Sequence, residues 1–435
     1  MSIPLDRLYH YIESIAEEIN GSSIIIYRFY PHGSKKLEDL QPTKDHQWDE
    51  FRTTPGIYCN DQEPLDYEYY KCYKLNDQSA WNTLLEYCEI YKINQNLKKY
   101  SNIYDQTLLL HSEQRSINLE TYKKNNFITI YHWCHALVAR DWFRYAEHIN
   151  INKKPVKTFL IYNRAWSGTR EYRLKFADLL IDQNLVDDCQ TSVGFVDQDT
   201  HYKNYKFTNS QWQPLHDLEQ YFQNNLTSST SSADFTVDDY CTTDIEVVLE
   251  TLFDDKRLHL TEKSLRPIAC GHPFILVATH GSLQYLRNYG FLTFGNIIDE
   301  SYDLIENPLD RLKAIVLAMK QITNWTKEER QYKLRLLQEI AEYNKQHFFS
   351  IKFSEQILNE LKENLTTAFT LFNSIKSSNQ WANQWNEYLS HQSIIDFLKN
   401  NKEPGVNLTK TQVDLVYQEA KKYTSTKMKH LLDDQ

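Results

Sequence analysis

Short apolar runs alternating with longer stretches of helical period constrain this chain more than any other feature. The runs include SSIIIYRFY (22–30), GIYCNDQEPLDYEYY (56–70), a strand ending in the loop DQEP, TLLLHSEQ (107–114), the start of FITIYHWCHALVARDWFRYAEH (127–148), KTFLIYNR (157–164), DIEVVLET (244–251), PFILVA (273–278) and FLTF (291–294). Each is β-branched or apolar and too short for a helix, which reads as a buried strand. Helical patterns stand between and around them, at roughly 4–19, 79–98, 116–124, the later part of 127–148, 169–186, 261–271 and 282–290. The 169–186 pattern carries Leu174, Phe176, Ala177, Leu179 and Leu180, and Gly271 ends the helix at 261–271. Two further patterns, DRLKAIVLAMKQI and KEERQYKLRLLQEIAEYNKQHF, follow as long helices. Strand then helix, repeated, is how a chain builds a parallel sheet covered by helices, so the expected class is α/β with Rossmann-like halves.

KPVK (154–157) restarts the pattern, so the expected domains are residues 1–150 and 151–349, with 350–435 as a helical C-terminal extension. The extension is rich in Asn, Gln and Lys and is broken by EPG (403–405); Trp381 and Trp385 share one helical face, read as core packing. NNLTSSTSSADF (224–235) reads as a surface loop.

Only 10 glycines occur in 435 residues, and neither GxGxxG nor GxxxxGK[ST] is found. A phosphate site here must therefore use helix N-termini and cationic side chains. The net charge of −10 argues against a sequence-independent nucleic-acid binder. The seven cysteines are scattered without a CxxC, as expected of reduced thiols in a cytoplasmic protein, and HWCH (132–135) has no spacing that closes a tetrahedral metal site. The N-terminal stretch is amphipathic and acidic rather than a leader, and no run of 18 apolar residues predicts a membrane span.

Ligands of open parallel sheets bind beyond the carboxyl ends of the strands. The residues at those exits are Asp61, Gln62 and Glu63; His111, Ser112 and Glu113; His132; Asn163 and Arg164; Glu250 and Thr251; Thr279 and His280. Arg164, Arg170 and Arg173 gather at one strand-to-helix turn, where the helix N-terminus is already positive, so an anion would relieve them; pairing of Arg173 with Asp178 is the structural alternative. Thr261 suits the N-cap of the helix that follows, and Glu262 suits its first turn, whereas Lys263 and Arg266 do not. A phosphate placed against that helix start would explain the cations.

ETLFDDKRLHLTEKSLRPIACGHPFIL (250–276) resembles the donor-binding segment of the alpha-1,3-fucosyltransferase-like glycosyltransferases. The matching positions are Glu250–Thr251, Leu260–Thr261–Glu262–Lys263 and Gly271–His272–Pro273. GFLTFGNIIDESYD, NPLDR, DQEPL and LLHSE are similar to a wider set of bacterial and phage sugar transferases. The resemblance is at the level of motifs, strongest over 245–311, and KRLH stands where the family has aromatic and glycine residues, so it specifies neither sugar nor base. It implies a GT-B architecture, with two Rossmann-like domains facing across a cleft, the acceptor on the first and a nucleotide sugar on the second. Glu262 would contact the ribose and Lys263 the pyrophosphate, with Glu250 and Thr261 in the same donor segment and Arg164 or Arg170 as a further pyrophosphate ligand.

The implied reaction is sugar transfer from a nucleotide diphosphate to a hydroxyl, inverting and without metal or other cofactor. The DD pairs at 187–188, 238–239 and 254–255 are read as ordinary loop acids. Cations stabilise the leaving diphosphate, and a carboxylate takes the acceptor proton. Asp61 and Glu63 rank first as that base, then Glu113, with His111 and His132 as alternatives. The acceptor is a glycan or, since the Asn, Lys and Tyr bias fits an AT-rich phage or bacterial genome, a modified DNA base reached through Lys98, Lys99, Lys123 and Lys124. The competing expectation is a catalytically silent protein of the same fold that binds a glycan or a nucleotide.

Overall fold

A computed structural model describes residues 4–20, 25–29, 40–42, 56–60, 108–124, 128–223, 235–254 and 256–376. The helix expected near 79–98, nearly all of the polar run at 224–235, Lys98 and Lys99, Trp381 and Trp385, and the EPG break lie outside the described residues. The chain divides into two compact units: residues 1–112, 117–132 and 360–435 form the first, and 113–116 with 133–359 the second.

The first unit is built on a five-stranded sheet of order β2-β1-β3-β4-β5. Its strands are β1 (Ile25–Phe29), β2 (Leu40–Pro42), β3 (Gly56–Asn60), β4 (Leu108–His111) and β5 (Ile128–Tyr131). The β1, β3, β4 and β5 neighbours pair in parallel, and β2 pairs antiparallel on the edge. Helix α1 (Pro4–Asn20) buries Ile12, Ile15 and Ala16, and α2 (Ile117–Lys124) links β4 to β5.

The second unit holds a four-stranded, wholly parallel sheet of order β11-β10-β6-β7. Its strands are β6 (Lys157–Asn163), β7 (Cys189–Val193), β10 (Thr243–Leu249) and β11 (Phe274–Val277). A short hairpin, β8 (Val196–Asp197) with β9 (Thr200–His201), follows β7. Gln198 and Asp199 both take positive φ there, 48° and 59°, the pair that a two-residue hairpin turn requires. Every residue of β10 and β11 is buried, as expected of central strands covered on both faces.

Helices α3 (Cys134–Trp142), α4 (Tyr172–Asp182), α5 (Val237–Thr242), α6 (Glu262–Cys270), α7 (Ser282–Asn288), α8 (Pro308–Thr323), α9 (Lys327–Phe349) and α10 (Ile351–Lys376) complete the described chain. α6 packs against α3 and α9, while α4 packs against α8. That division fits the strand order: β6 to β7 and β10 to β11 run outward in opposite directions, and right-handed connections, the rule for parallel strands, would put their helices on opposite faces. The sheet therefore has a topological switch point between β6 and β10, and both folds are α/β in the Rossmann-like manner.

One local expectation needs correction. Phe291–Phe294 joins no strand: the amide and carbonyl of Leu292 bond to the Asn344 side chain (2.8 and 2.9 Å), and the Phe294 amide bonds to Glu300 Oε1 at 2.6 Å. Side-chain amide and carboxylate replace a sheet partner. Conversely β7, CQTSV, is a strand that no apolar run announces.

The helix expected at 261–271 forms as α6. Thr261 is its N-cap, accepting from the Lys263 amide at 3.4 Å. Gly271, at φ 64°, ends it, with its own amide bonding Ile268 O (3.1 Å) and the His272 amide bonding Pro267 O (2.9 Å). A side chain at Gly271 would press on Lys345 Cδ, 3.1 Å from a built Cβ.

Arg266 points from α6 into the core rather than to a ligand. Its guanidinium bonds Glu246 Oε1 of β10 at 2.5 Å and lies 4.4 Å over the Tyr162 ring, and Tyr240 OH donates to Glu246 Oε2 at 2.7 Å. Burial opposes the guanidinium's charge, but Glu246 outweighs it and holds Arg266 above its ordinary range. Removing one partner of such a pair leaves an uncompensated buried charge. Arg266→Met is expected to lower the unfolding free energy by about 3–5 kcal/mol, and adding Glu246→Leu to recover most of it. Urea unfolding measures this; a double variant no more stable than the single one would show that the two charges are not coupled.

Candidate functional site

In the second unit, the switch point opens at the carboxyl ends of β6 and β10, where Asn163–Arg164 and Glu250–Thr251 leave the sheet. Glu250 is fully buried, and its carboxylate gathers the start of α6. Oε1 accepts from the amides of Thr261 (3.0 Å) and Ser264 (3.2 Å) and from Ser264 Oγ (2.5 Å). Oε2 accepts from Thr261 Oγ1 (2.8 Å) and the Thr251 amide (3.1 Å). A helix start exposes unsatisfied amides and partial positive charge, and here the protein's own carboxylate answers both. Glu250 thus sits beneath the site as its anchor.

The same device recurs at the neighbouring corners. After β6, Asp197 Oδ2 accepts the amides of Trp166 (2.8 Å) and Ser167 (2.7 Å). Burial opposes its ionisation, but those amide bonds prevail and hold it below the usual carboxylate range. After β11, the carboxylate of Asp303 faces the Leu283 amide in the first turn of α7, both oxygens at 3.2 Å. Backbone amides at three corners of the sheet's carboxyl end are therefore already bonded to internal acids.

The cations divide into two kinds. Arg173 is buried and donates to main-chain oxygens: Ala165 O (2.6 Å) after β6, and Leu249 O (2.6 Å) and Glu250 O (3.1 Å) at the end of β10. It stitches the switch point together. The expected alternative for it, pairing with Asp178, is not what forms, because Lys175 takes Asp178 at 2.5 Å. Arg311 does similar work, bonding Ala278 O (3.2 Å), Ile305 O (2.6 Å), Glu306 O (3.0 Å) and Phe253 O. Burial pushes it down to about 10.

Lys263, Arg164 and Arg170 are the second kind, each partly exposed. The Lys263 side chain keeps 16 % of its surface exposed, and its Nζ lies 3.0 Å from Glu262 Oε1, 3.1 Å from Thr261 Oγ1 and 3.3 Å from Thr251 Oγ1. Arg164 lies 5.0 Å over the Tyr162 ring. Arg170 lies two residues after Gly168, whose φ of 64° favours glycine and whose missing side chain faces open space. Glu262 is nearly buried, its second oxygen 3.3 Å from His135 Nδ1.

Thr251, Thr261, Glu262 and Lys263 are thus brought together, with Glu250 beneath them. Tyr172 supports the group from below: its hydroxyl bonds Glu250 O at 2.6 Å, its ring stacks on Phe253 at 4.4 Å, and burial pushes it up to about 12. Of the candidate bases, Asp61 and Glu63 lie outside the described residues. Glu113 is buried, 3.6 Å from Arg257. In the first unit, His111 and His132 are also buried, and burial pushes His132 down to about 3, leaving a neutral ring that is a weak proton acceptor. Residue-type patterns alone did not single out Asp197, Asp303 or His135, whose partners are distant in the chain.

Among the described residues, no three His, Cys, Asp or Glu side chains gather as a cation site. No helix among them is long and apolar enough to cross a membrane. Compared with family models, curated proteins and solved structures, the chain matches none.

Glu250→Gln leaves the shape and removes the charge that answers the α6 amides. It is expected to destabilise the protein by about 2–3 kcal/mol, measured by urea unfolding. A change within experimental error would show that α6 begins where it does without this carboxylate.

Proposed function

We propose that the second unit binds the nucleoside diphosphate of a sugar donor and that the protein is a nucleotide-sugar-dependent glycosyltransferase. The carrying observation is the Lys263 ammonium, gathered with the Thr251 and Thr261 hydroxyls and the Glu262 carboxylate beside the switch point of a parallel sheet. That is the position where such sheets bind ligands. The resemblance of 250–276 to fucosyltransferase-like donor segments supports the same reading.

In this reading the internal carboxylates have a consequence for recognition. With amides at the α6, α7 and β6 corners already bonded to Glu250, Asp303 and Asp197, the diphosphate's charge falls to Lys263, Arg164 and Arg170. As the bond from sugar to phosphate breaks, negative charge grows on the leaving diphosphate, and preorganised cations lower the barrier. Transfer is inverting and proceeds without a metal, with a carboxylate taking the acceptor hydroxyl's proton. Asp61 and Glu63 stand ahead of Glu113 for that step, because Glu113 is buried beside Arg257. The first unit takes the acceptor, a glycan or a modified DNA base, and the GT-B arrangement belongs to this reading. A catalytically silent binding protein is the second reading, favoured by the three protein oxygens that already surround Lys263 Nζ.

A thermal-shift panel of nucleoside diphosphates tests the donor site. A ligand at 100 times its Kd adds about 2.7 kcal/mol to stability, so at least one should raise Tm clearly. Lys263→Ala should abolish the rise; a rise unchanged in that variant overturns the assignment. Release of free sugar from the matching donor separates an enzyme from a silent binder.

A further inference from the structure

We infer that Lys153 is a nucleophilic amine and a site of covalent acylation, taking its acyl group from a small acyl phosphate. The site lies at the amino ends of the second unit's strands, the opposite end of the sheet from Glu250 and Lys263. The inference is independent of the donor-site reading.

Lys153 precedes β6, in a segment held against the end of α5. The Lys154 amide bonds Cys241 O at 2.8 Å and the Val156 amide bonds Thr242 O at 2.7 Å. Lys153 Nζ donates to Thr243 O at 2.9 Å, where β10 begins, and lies 2.6 Å from His272 Nδ1, just ahead of β11. Neither partner is a carboxylate. The neighbouring acid, Asp244, is bonded to Arg330 at 2.5 Å. Lys175 and Lys263, by contrast, each have a carboxylate oxygen in contact, at 2.5 and 3.0 Å. A partly buried ammonium at Lys153 is thus held by neutral acceptors, which repay little of its lost hydration.

The imidazole disfavours the charged form further. His272 is wholly buried and its Nε2 makes no hydrogen bond, while the ring meets Tyr240 edge to face at 4.7 Å. Burial, and then the Lys153 charge, hold the ring neutral. An ammonium can only donate, so Nδ1 must accept and the ring's own proton must sit on Nε2, a buried N–H without an acceptor. Once Lys153 loses a proton, the ring can carry its proton on Nδ1 and donate it to the amine, and the unbonded N–H disappears. Burial lowers Lys153 to about 8, opposed by Asp244 and then by Cys241 and Cys270. An appreciable share of the side chain is therefore free amine near neutral pH, where an ordinary lysine is almost wholly charged.

In the reaction the amine nitrogen attacks the acyl carbon. A C–N bond forms, the C–O bond to phosphate breaks, phosphate leaves with the electron pair, and the proton lost by nitrogen passes to solvent. Lys153 is only partly exposed, which favours a small reagent, and the exposed Lys154 beside it lends the approach a positive charge that suits an anionic one.

The test incubates the full-length protein with acetyl phosphate at neutral pH and follows each lysine by peptide mass spectrometry, with fragment spectra separating Lys153 from Lys154. The exposed Lys154 is the internal reference. Lys153 should react about tenfold faster than Lys154. His272→Asp places a carboxylate beside the amine and keeps it charged, and should cut the Lys153 rate about tenfold while the Lys154 rate holds. Asp244→Asn removes the acid that favours the ammonium, and should raise the Lys153 rate about threefold. A wild-type Lys153 that reacts no faster than Lys154 overturns the inference. So does a Lys153 rate that neither variant changes, because its reactivity would then owe nothing to the groups around it.

Discussion

The buried carboxylate of Glu250 is the constraint on which the second unit's candidate site depends. It ends β10 and receives the first turn of α6, bonding Thr251, Thr261 and Ser264 at once. Glu262 and Lys263 stand where they do because this carboxylate decides where α6 begins. The Glu250 backbone is held as firmly: its amide bonds Val277 O of β11 at 3.0 Å, and its carbonyl accepts from Tyr172 and Arg173. One residue thereby couples two strands and two helices at the switch point.

That arrangement alters how an anion would be held. Helix starts with open amides attract phosphate by backbone and dipole. Here Glu250 and Asp303 already bond amides at the starts of α6 and α7, and Asp197 bonds the amides of Trp166 and Ser167 after β6. The cations follow the same logic. Arg173 and Arg311 bond main-chain carbonyls and Arg266 bonds Glu246, whereas Lys263, Arg164 and Arg170 are partly exposed.

Much of this fold was legible in the chain. The β-branched runs became β1, β4, β5, β6, β10 and β11, and Thr261 and Gly271 mark the ends of α6, because caps and strand composition are local properties. What escaped depends on partners far apart in the chain. CQTSV becomes a strand only because β6 lies beside it, and FLTF fails to become one because Asn344 and Glu300 answer its backbone. Arg266 resembled a ligand cation in sequence, since nothing adjacent shows that Glu246, mid-strand, waits beneath it. The site was half legible in the same sense: Thr261, Glu262 and Lys263 are consecutive, whereas His135 reaches Glu262 only through the packing of α3 on α6.

The most direct test of the central claim, that the carboxyl end of the second unit's sheet holds a nucleoside diphosphate, is amide hydrogen exchange with and without the best-binding nucleotide. Protection should concentrate in the segments at 164–170, 250–252 and 261–266. Protection confined to other segments, with these three unchanged, would contradict the account.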